Sequence, residues 1–316
     1  MTMKFVVVGL AATAVLAAGP ALADPNLQIK DAALRVVVVP ENRADVVVDV
    51  YRPNSDLPLH VTKLGDDVVI DGGLTGFLTT CHGSGAGLHA FIFGKGDFAV
   101  SQFPQVLVHT PMNVRVSAGG IVQGSIAHGK DVSLRHGGCG DWTVANASGE
   151  LQADVAGVGD IRAGTAHSAD LTLSGTGHIS AVAVDAQLTA RVSGSGDIGV
   201  QTAGAADLTI TGSGSIKTGP IAGGLSAVIS GAGSLNVASL NGPFTAHVSG
   251  VGSVDAPAGH ATSLTANVSG SGSVKFGGVA DSVDANVSGV GSVDVAKVTG
   301  PVNQHVSGVG SVHIGH

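Results

Sequence analysis

In "LTANVSGSGSVKF" (264–276), Leu264, Ala266 and Val268 alternate with Thr265 and Asn267; after a glycine turn, Val274 and Phe276 flank Lys275. "DLTITGSGSIK" repeats this, with Leu208, Ile210 and Ile216 set against Thr209 and Lys217. An apolar residue at every second position is the period of a strand with one buried face. β-Branched residues are enriched in these runs, and glycine every few residues opposes a helix. Each unit therefore predicts two short strands, one before SGxG and one after it. A second turn such as "GGVAD" (277–281) or "TGPIAGG" (218–224) completes the unit.

The unit recurs along the chain. The first glycines of its GxG turns are Gly138, Gly157, Gly175, Gly194, Gly212, Gly231, Gly250, Gly270, Gly289 and Gly308, spaced 18–20 residues apart. "VSAGGIV" adds a weaker copy at Gly119. Self-similarity at a fixed period is the signature of a solenoid. One hairpin cannot bury its single apolar face, but strands coiled into rungs pair with their equivalents one unit later. The expected fold is all-β: a parallel β-helix or β-solenoid with rungs of about 19 residues and two short strands per rung. Ten or eleven rungs at about 4.8 Å each make a rod of roughly 50 Å. An outer-membrane barrel would need strands of about 9–11 residues and aromatic girdles. Aromatic residues are only 3% of this chain.

Ahead of the repeat, 34–39 ("LRVVVV"), 46–51 ("VVVDVY"), 59–63 ("LHVTK") and 67–70 ("DVVI") read as strands. The glycine-rich stretch 71–97 reads as a loop with one short strand around Phe91–Phe93. "PQVLVHTPMNVRVSAGG" (104–120) then leads into the regular pattern. The expected division is a signal peptide at 1–23, an N-terminal β-rich cap at 24–103, and the GxG-repeat solenoid at 104–316, continuous with the cap. The last unit, "VSGVGSVHIGH", carries no comparable cap; a frayed, monomeric end is the favoured reading, with an end-to-end homo-oligomer through its strand edges as the alternative.

The signal reading rests on Lys4, the apolar run 5–23 and the small-residue ending Ala21-Leu22-Ala23. Gly19-Pro20 breaks that run, which is short for a membrane span, so no span is expected after cleavage. Losing Lys4 leaves 14 basic and 23 acidic residues, a net charge of −9 without a basic cluster. That argues against nucleic acid or an anionic membrane as partner. Forty-nine glycines without a three-residue period exclude collagen. Export also bears on Cys81 and Cys139. An oxidising compartment makes them a disulfide candidate, with two unpaired thiols as the alternative. "CHG" (81–83) and "HGGC" (136–139) raise a Cys/His metal site, but without close CxxC spacing no metal ligand is assigned.

Together, the β segment at 34–70, the "VLVHTPMNVRVSAGG" strand pair and the reiterated "VSGSGDI" and "VSGVGSV" rungs resemble the family called "putative auto-transporter adhesin, head GIN domain", a bacterial domain of unknown function. The resemblance covers roughly 34–316. It implies a parallel β-helical protein of the cell envelope, periplasmic or secreted, and carries over no catalytic residues. The chain ends in Gly315-His316 and not in an aromatic residue, so self-secretion through its own barrel is not expected.

The chemical readings are weaker. A phosphate-binding loop at Gly194-Ser195-Gly196 would need a helix after it, and a strand pattern follows instead. Asp141, Asp160 and Asp197 follow GxG as calcium-roll aspartates would. His178 interrupts that column, and Ser215, Ser234, Ser253, Ser273, Ser292 and Ser311 continue it. Calcium wants six to eight oxygen ligands, whereas serine at a turn satisfies local backbone. Glycosidase chemistry would need a carboxylate pair, for which Asp141 with Asp160 or Asp281 with Asp284 are the candidates. Trp142 and Phe244 stand apart as platforms for a sugar ring, and His128, His136 and His167 are the least poor catalytic histidines. No cofactor is expected. The favoured reading is a structural or ligand-binding, adhesion-type envelope solenoid whose partner is an envelope polysaccharide or protein. Outward residues such as Thr265, Asn267 and Asn286 would form its flat face. The alternative is a polysaccharide-acting β-helix enzyme using outward turn carboxylates.

Overall fold

The computed structural model describes residues 24–315. The signal-peptide reading of 1–23 lies outside the described residues.

The predicted alternation becomes a stack of parallel strands. The strands before each glycine corner follow one another as Val114–Ala118, Val132–His136, 151–155, 169–173, 188–192 and 206–210. They continue through Leu225–Ile229, Phe244–Val248, Leu264–Val268, Val283–Val287 and Val302–Val306. The strands after each corner form a second parallel column, from Ile121–Ile126 to Ser311–Ile314. A third line of pairing joins the second turns, with Ala147, Ala166, Val184, Ala203, Ile221 and Leu240 in register. In three successive rungs the chain runs through that turn as one long bent strand, Val158–Leu173, Thr176–Val192 and Asp197–Ile210. The molecule is thus an all-β parallel solenoid of about 11 turns.

The inward positions close into one continuous core. Leu134, Ala153, Leu171, Ala190 and Leu208 stack in register, large over small. From Ala227 through Ala246 and Ala266 to Ala285 that row is alanine throughout. The same stretch of core holds Phe244 and Phe276, whose rings meet edge to face at 5.9 Å. Alternation of large and small side chains suits a thin, close-packed interior.

Glycine at the corners has a specific cause. The N–H groups of Ser195, Ser213, Val251, Val290 and Val309 each donate to the carbonyl of the first GxG glycine one rung earlier. The corners are therefore stacked backbone on backbone. A Cβ on any of the ten first glycines would sit 1.9–2.2 Å from a carbonyl oxygen below, and none of the ten has a positive φ. Close approach, and not a left-handed backbone, excludes a side chain there.

The N-terminal region is a β-rich cap continuous with this stack. Ala33–Glu41 lies between Gln105–Pro111 and Ile121–Ile126, parallel to both. Asn26–Lys30 lies between Asp67–Asp71 and Val114–Ala118, again parallel. This strand is too short to stand out in the sequence, since only Leu27 and Ile29 alternate along it. Two antiparallel strands finish that end, Val47–Arg52 on Gln105–Pro111 and His60–Leu64 on Asp67–Asp71.

Where the sequence suggests a loop with one short strand, the chain folds into a flap. Leu78–His82, His89–Ile92 and Gly96–Ala99 make a three-stranded antiparallel sheet. Gly83, Gly85, Gly94 and Gly96 have positive φ in or beside its two turns, so the glycines that suggest a loop mark hairpin reversals. Ala90, Ile92 and Phe98 face inward and join Leu57, Leu74, Leu88 and Phe103 in a second apolar cluster against Ile121.

Candidate functional site

Two surfaces carry the polar chemistry. The first follows from the strand period, which turns the residues between the core positions outward. In register along the pre-corner strands stand Arg135, Asp154, Thr172, Arg191 and Thr209, beside Ser133, Gln152, Asp170, Thr189 and Asp207. Ser133 Oγ donates to Gln152 Oε1 at 2.8 Å, and Arg191 reaches both oxygens of Asp170 at 3.0 and 3.1 Å. Partial burial raises the Asp154 carboxyl above its ordinary range; Arg135 opposes this and Asp170 adds to it. Further along, Asn286 Nδ2 donates to Asn267 Oδ1 at 3.2 Å, and Asn267 Nδ2 lies 3.2 Å from His247 Nδ1. At the N-terminal end this face opens into a groove of about 530 Å³ lined by Asn113, Arg115, Asp131, Arg135, Glu150 and Gln152.

The second surface is the flap above the first corners. Cys81 and Cys139 are bonded, with Cα atoms 6.5 Å apart, and tie the first flap strand to the first GxG turn. Beside them Gly85 N–H donates to Asp141 Oδ2 at 2.6 Å. On the outward face of the flap, His82 stands opposite His89, and Asp97 on the third strand stands opposite Phe91. The two imidazole rings stack at 5.1 Å and 18°. His89 Nδ1 lies 2.9 Å from Asp97 Oδ2. One ligating atom from each of His82, His89 and Asp97 falls within 4.8 Å of the others.

The acidic residues after GxG serve the backbone. Asp141 is buried; its Oδ1 accepts the Asp160 N–H at 3.1 Å while its Oδ2 holds the flap. Asp160 Oδ1 accepts the His178 N–H at 3.1 Å, and its Oδ2 pairs with Arg162 at 2.7 Å. Asp197 accepts from Ser215 one rung on. The two carboxylates do border a cavity of about 440 Å³ between flap and corner. Their oxygens already hold N–H groups and a guanidinium there. Asp281 and Asp284 take separate partners, His260 Nε2 at 2.8 Å and Asn286 Nδ2 at 2.9 Å.

Of the three histidines, His128 and His167 are exposed and His136 is buried in the core. Among the described residues, no partner within hydrogen-bonding geometry reaches either His136 ring nitrogen. Burial holds the His136 imidazole below its ordinary value, with Asp141 and nearby backbone opposing. The Cys/His metal set does not assemble, since the sulfurs bond each other and His136 points into the core. Trp142 and Phe244 are fully buried, so neither offers a sugar platform; among the described residues, Tyr51, Phe77, Phe91 and Phe93 are the exposed aromatics. His82 belongs to the "CHG" stretch raised as a Cys/His candidate, whereas His89 and Asp97 carry no role in the sequence. Their signal is present in "CHGSGAGLHAFIFGKGDF", where glycine turns place both histidines and the aspartate on alternate, same-face positions.

Stacked parallel rungs, an antiparallel N-terminal cap and glycine corners define a β-solenoid head module. Residues 105–220 and 201–298 match the family described as "Putative auto-transporter adhesin, head GIN domain". The chain belongs to that family. Family membership supports an extracytoplasmic, cell-envelope location. Among solved structures, a putative adhesin from Bacteroides fragilis is 16% identical, with 89% of this chain and 93% of that chain covered and a TM-score of 0.30. No curated protein matches. Among the described residues, no helix is long and apolar enough to cross a membrane.

Proposed function

We propose that the outward face of the pre-corner strands is a binding surface for an extended envelope partner, a polysaccharide or a protein. One observation carries the reading: one row of outward side chains is polar at every rung from Arg115 to Asn303, and the row beside it, from Ser117 to His305, is polar except at Val228. A ligand with its own linear repeat can meet the same donors and acceptors rung after rung, so weak contacts add along its length. Arg115, Arg135 and Gln152 at the groove supply the charged and amide donors that would set its register.

The mature chain, 24–316, displayed against arrays of envelope polysaccharides and envelope fractions, tests this. Binding should fall about tenfold or more in Arg115→Ala/Arg135→Ala, the effect of losing a hot-spot contact. It should survive Asp160→Asn. Product formation from any polymer, lost with one carboxylate, would replace the binding reading with an enzymatic one. Binding unchanged in the arginine variant would move the surface elsewhere.

A further inference from the structure

We propose that His82, His89 and Asp97 form a binding site for a first-row divalent transition ion, with Zn²⁺ as the ion best suited to the donor set. The three residues come from three adjacent antiparallel strands of the flap, and the pairing register fixes their neighbourhood. Inward residues Ala90, Ile92 and Phe98 are buried against the corner, so the backbone that carries the outward residues is held from below. The Cys81–Cys139 bond and the Gly85–Asp141 hydrogen bond hold the same strand and turn. The ligand set is therefore carried on an anchored sheet.

The geometry is close to that of a loaded site. Bonds of about 2.1 Å place neighbouring ligand atoms roughly 3.0 Å apart at an octahedral edge and 3.4 Å at a tetrahedral one. His89 Nδ1 and Asp97 Oδ2 already stand 2.9 Å apart. The remaining ligand atom lies within the 4.8 Å that bounds the cluster. His82 is on the exposed face, so side-chain rotation can close that gap without moving the strands. Two imidazoles and a carboxylate favour zinc and its neighbours over calcium or magnesium, which take oxygen ligands. Three protein ligands on an outward face leave the rest of the coordination shell to water or to a donor atom from a bound partner.

Zinc titration of the full mature chain under non-reducing conditions, with a competing chromogenic chelator, tests the proposal. Co²⁺ absorption would report the coordination environment. One ion per chain is expected. Affinity should fall at least roughly tenfold in each of His82→Ala, His89→Ala and Asp97→Asn. His260→Gln and His109→Gln should leave it unchanged, because those histidines meet a single carboxylate each. Circular dichroism and melting temperature identify any variant that misfolds, and His89→Gln then replaces His89→Ala in the comparison. Absence of saturable binding would overturn the proposal. So would stoichiometric binding that survives His82→Ala/His89→Ala in a folded chain.

Discussion

At the residue scale, the corner glycines and His136 carry the clearest consequences. A methyl group at Gly250 would sit 2.0 Å from the Gly231 carbonyl oxygen, which already accepts the Val251 N–H. Neither partner can yield, because both are backbone in a stack that continues above and below. Gly250→Ala should destabilise by roughly 1–3 kcal/mol, the usual range for overpacking a core, measured by denaturant unfolding. Val251→Ser, one residue away on an exposed side chain, should be near neutral. His136 yields a pH prediction. Its folded pKa lies below the ordinary value of 6.5 because burial disfavours the charged ring. Between the folded and unfolded values the unfolded chain binds more protons, so stability rises with pH in that window. Melting temperature should therefore drop as pH falls below about 6.5 and level off once it passes the folded value. His136→Leu should flatten the step. An equal slope in that variant would place the titration on another group.

At the element scale, the flap is a separable unit. It pairs within its own three-stranded sheet and meets the solenoid through an apolar cluster, one disulfide and one buried carboxylate. Removing the bond that closes 58 residues should cost roughly 2–4 kcal/mol. Much of that cost should fall locally. Cys81→Ala/Cys139→Ala should admit limited proteolysis between 74 and 103 while the rungs from 150 to 300 resist; uniform cleavage would show that the flap and stack unfold together. The flap also marks where the sequence is harder to read. The strands 34–39, 46–51, 59–63 and 67–70 were legible because their apolar runs are bounded by Pro, Asn, Asp or Gly. In 78–99 the buried positions include Leu88, Ala90, Ile92 and Phe98, and they face a small cluster of their own. Their alternation is diluted by turn glycines, and His89 and Asp97, the outward partners of His82, were hidden with it. The third line of strand pairing was hidden for a different reason. It crosses "TGPIAGG"-type turns whose glycine and proline normally end a strand, and parallel neighbours override that preference.

At the scale of the whole molecule, each rung contacts chiefly its neighbours, so stability should vary along the stack. The N-terminal end is covered by antiparallel strands, whereas Val302–Val306 and Ser311–Ile314 pair on one side among the described residues. Native-state hydrogen exchange should be slowest in the central rungs and fastest in 302–314. Protection in 302–314 equal to that at 188–210, at a concentration where the chain is monomeric, would contradict a nearest-neighbour stack. The sequence by itself determined the period, the parallel strand class and the inward face, because each repeat states the same local pattern and errors in one unit are corrected by the next. It also marked the glycine corners, whose steric cause the structure assigns. Only the tertiary structure decided which acidic side chains are consumed by backbone N–H groups, because that depends on what lies one rung away. The same holds for the polar rows that form a continuous face and for the two histidines and one aspartate that meet on the flap. Those placements depend on partners 7 to 58 residues apart in the chain, and pairing is settled by burial of the whole stack.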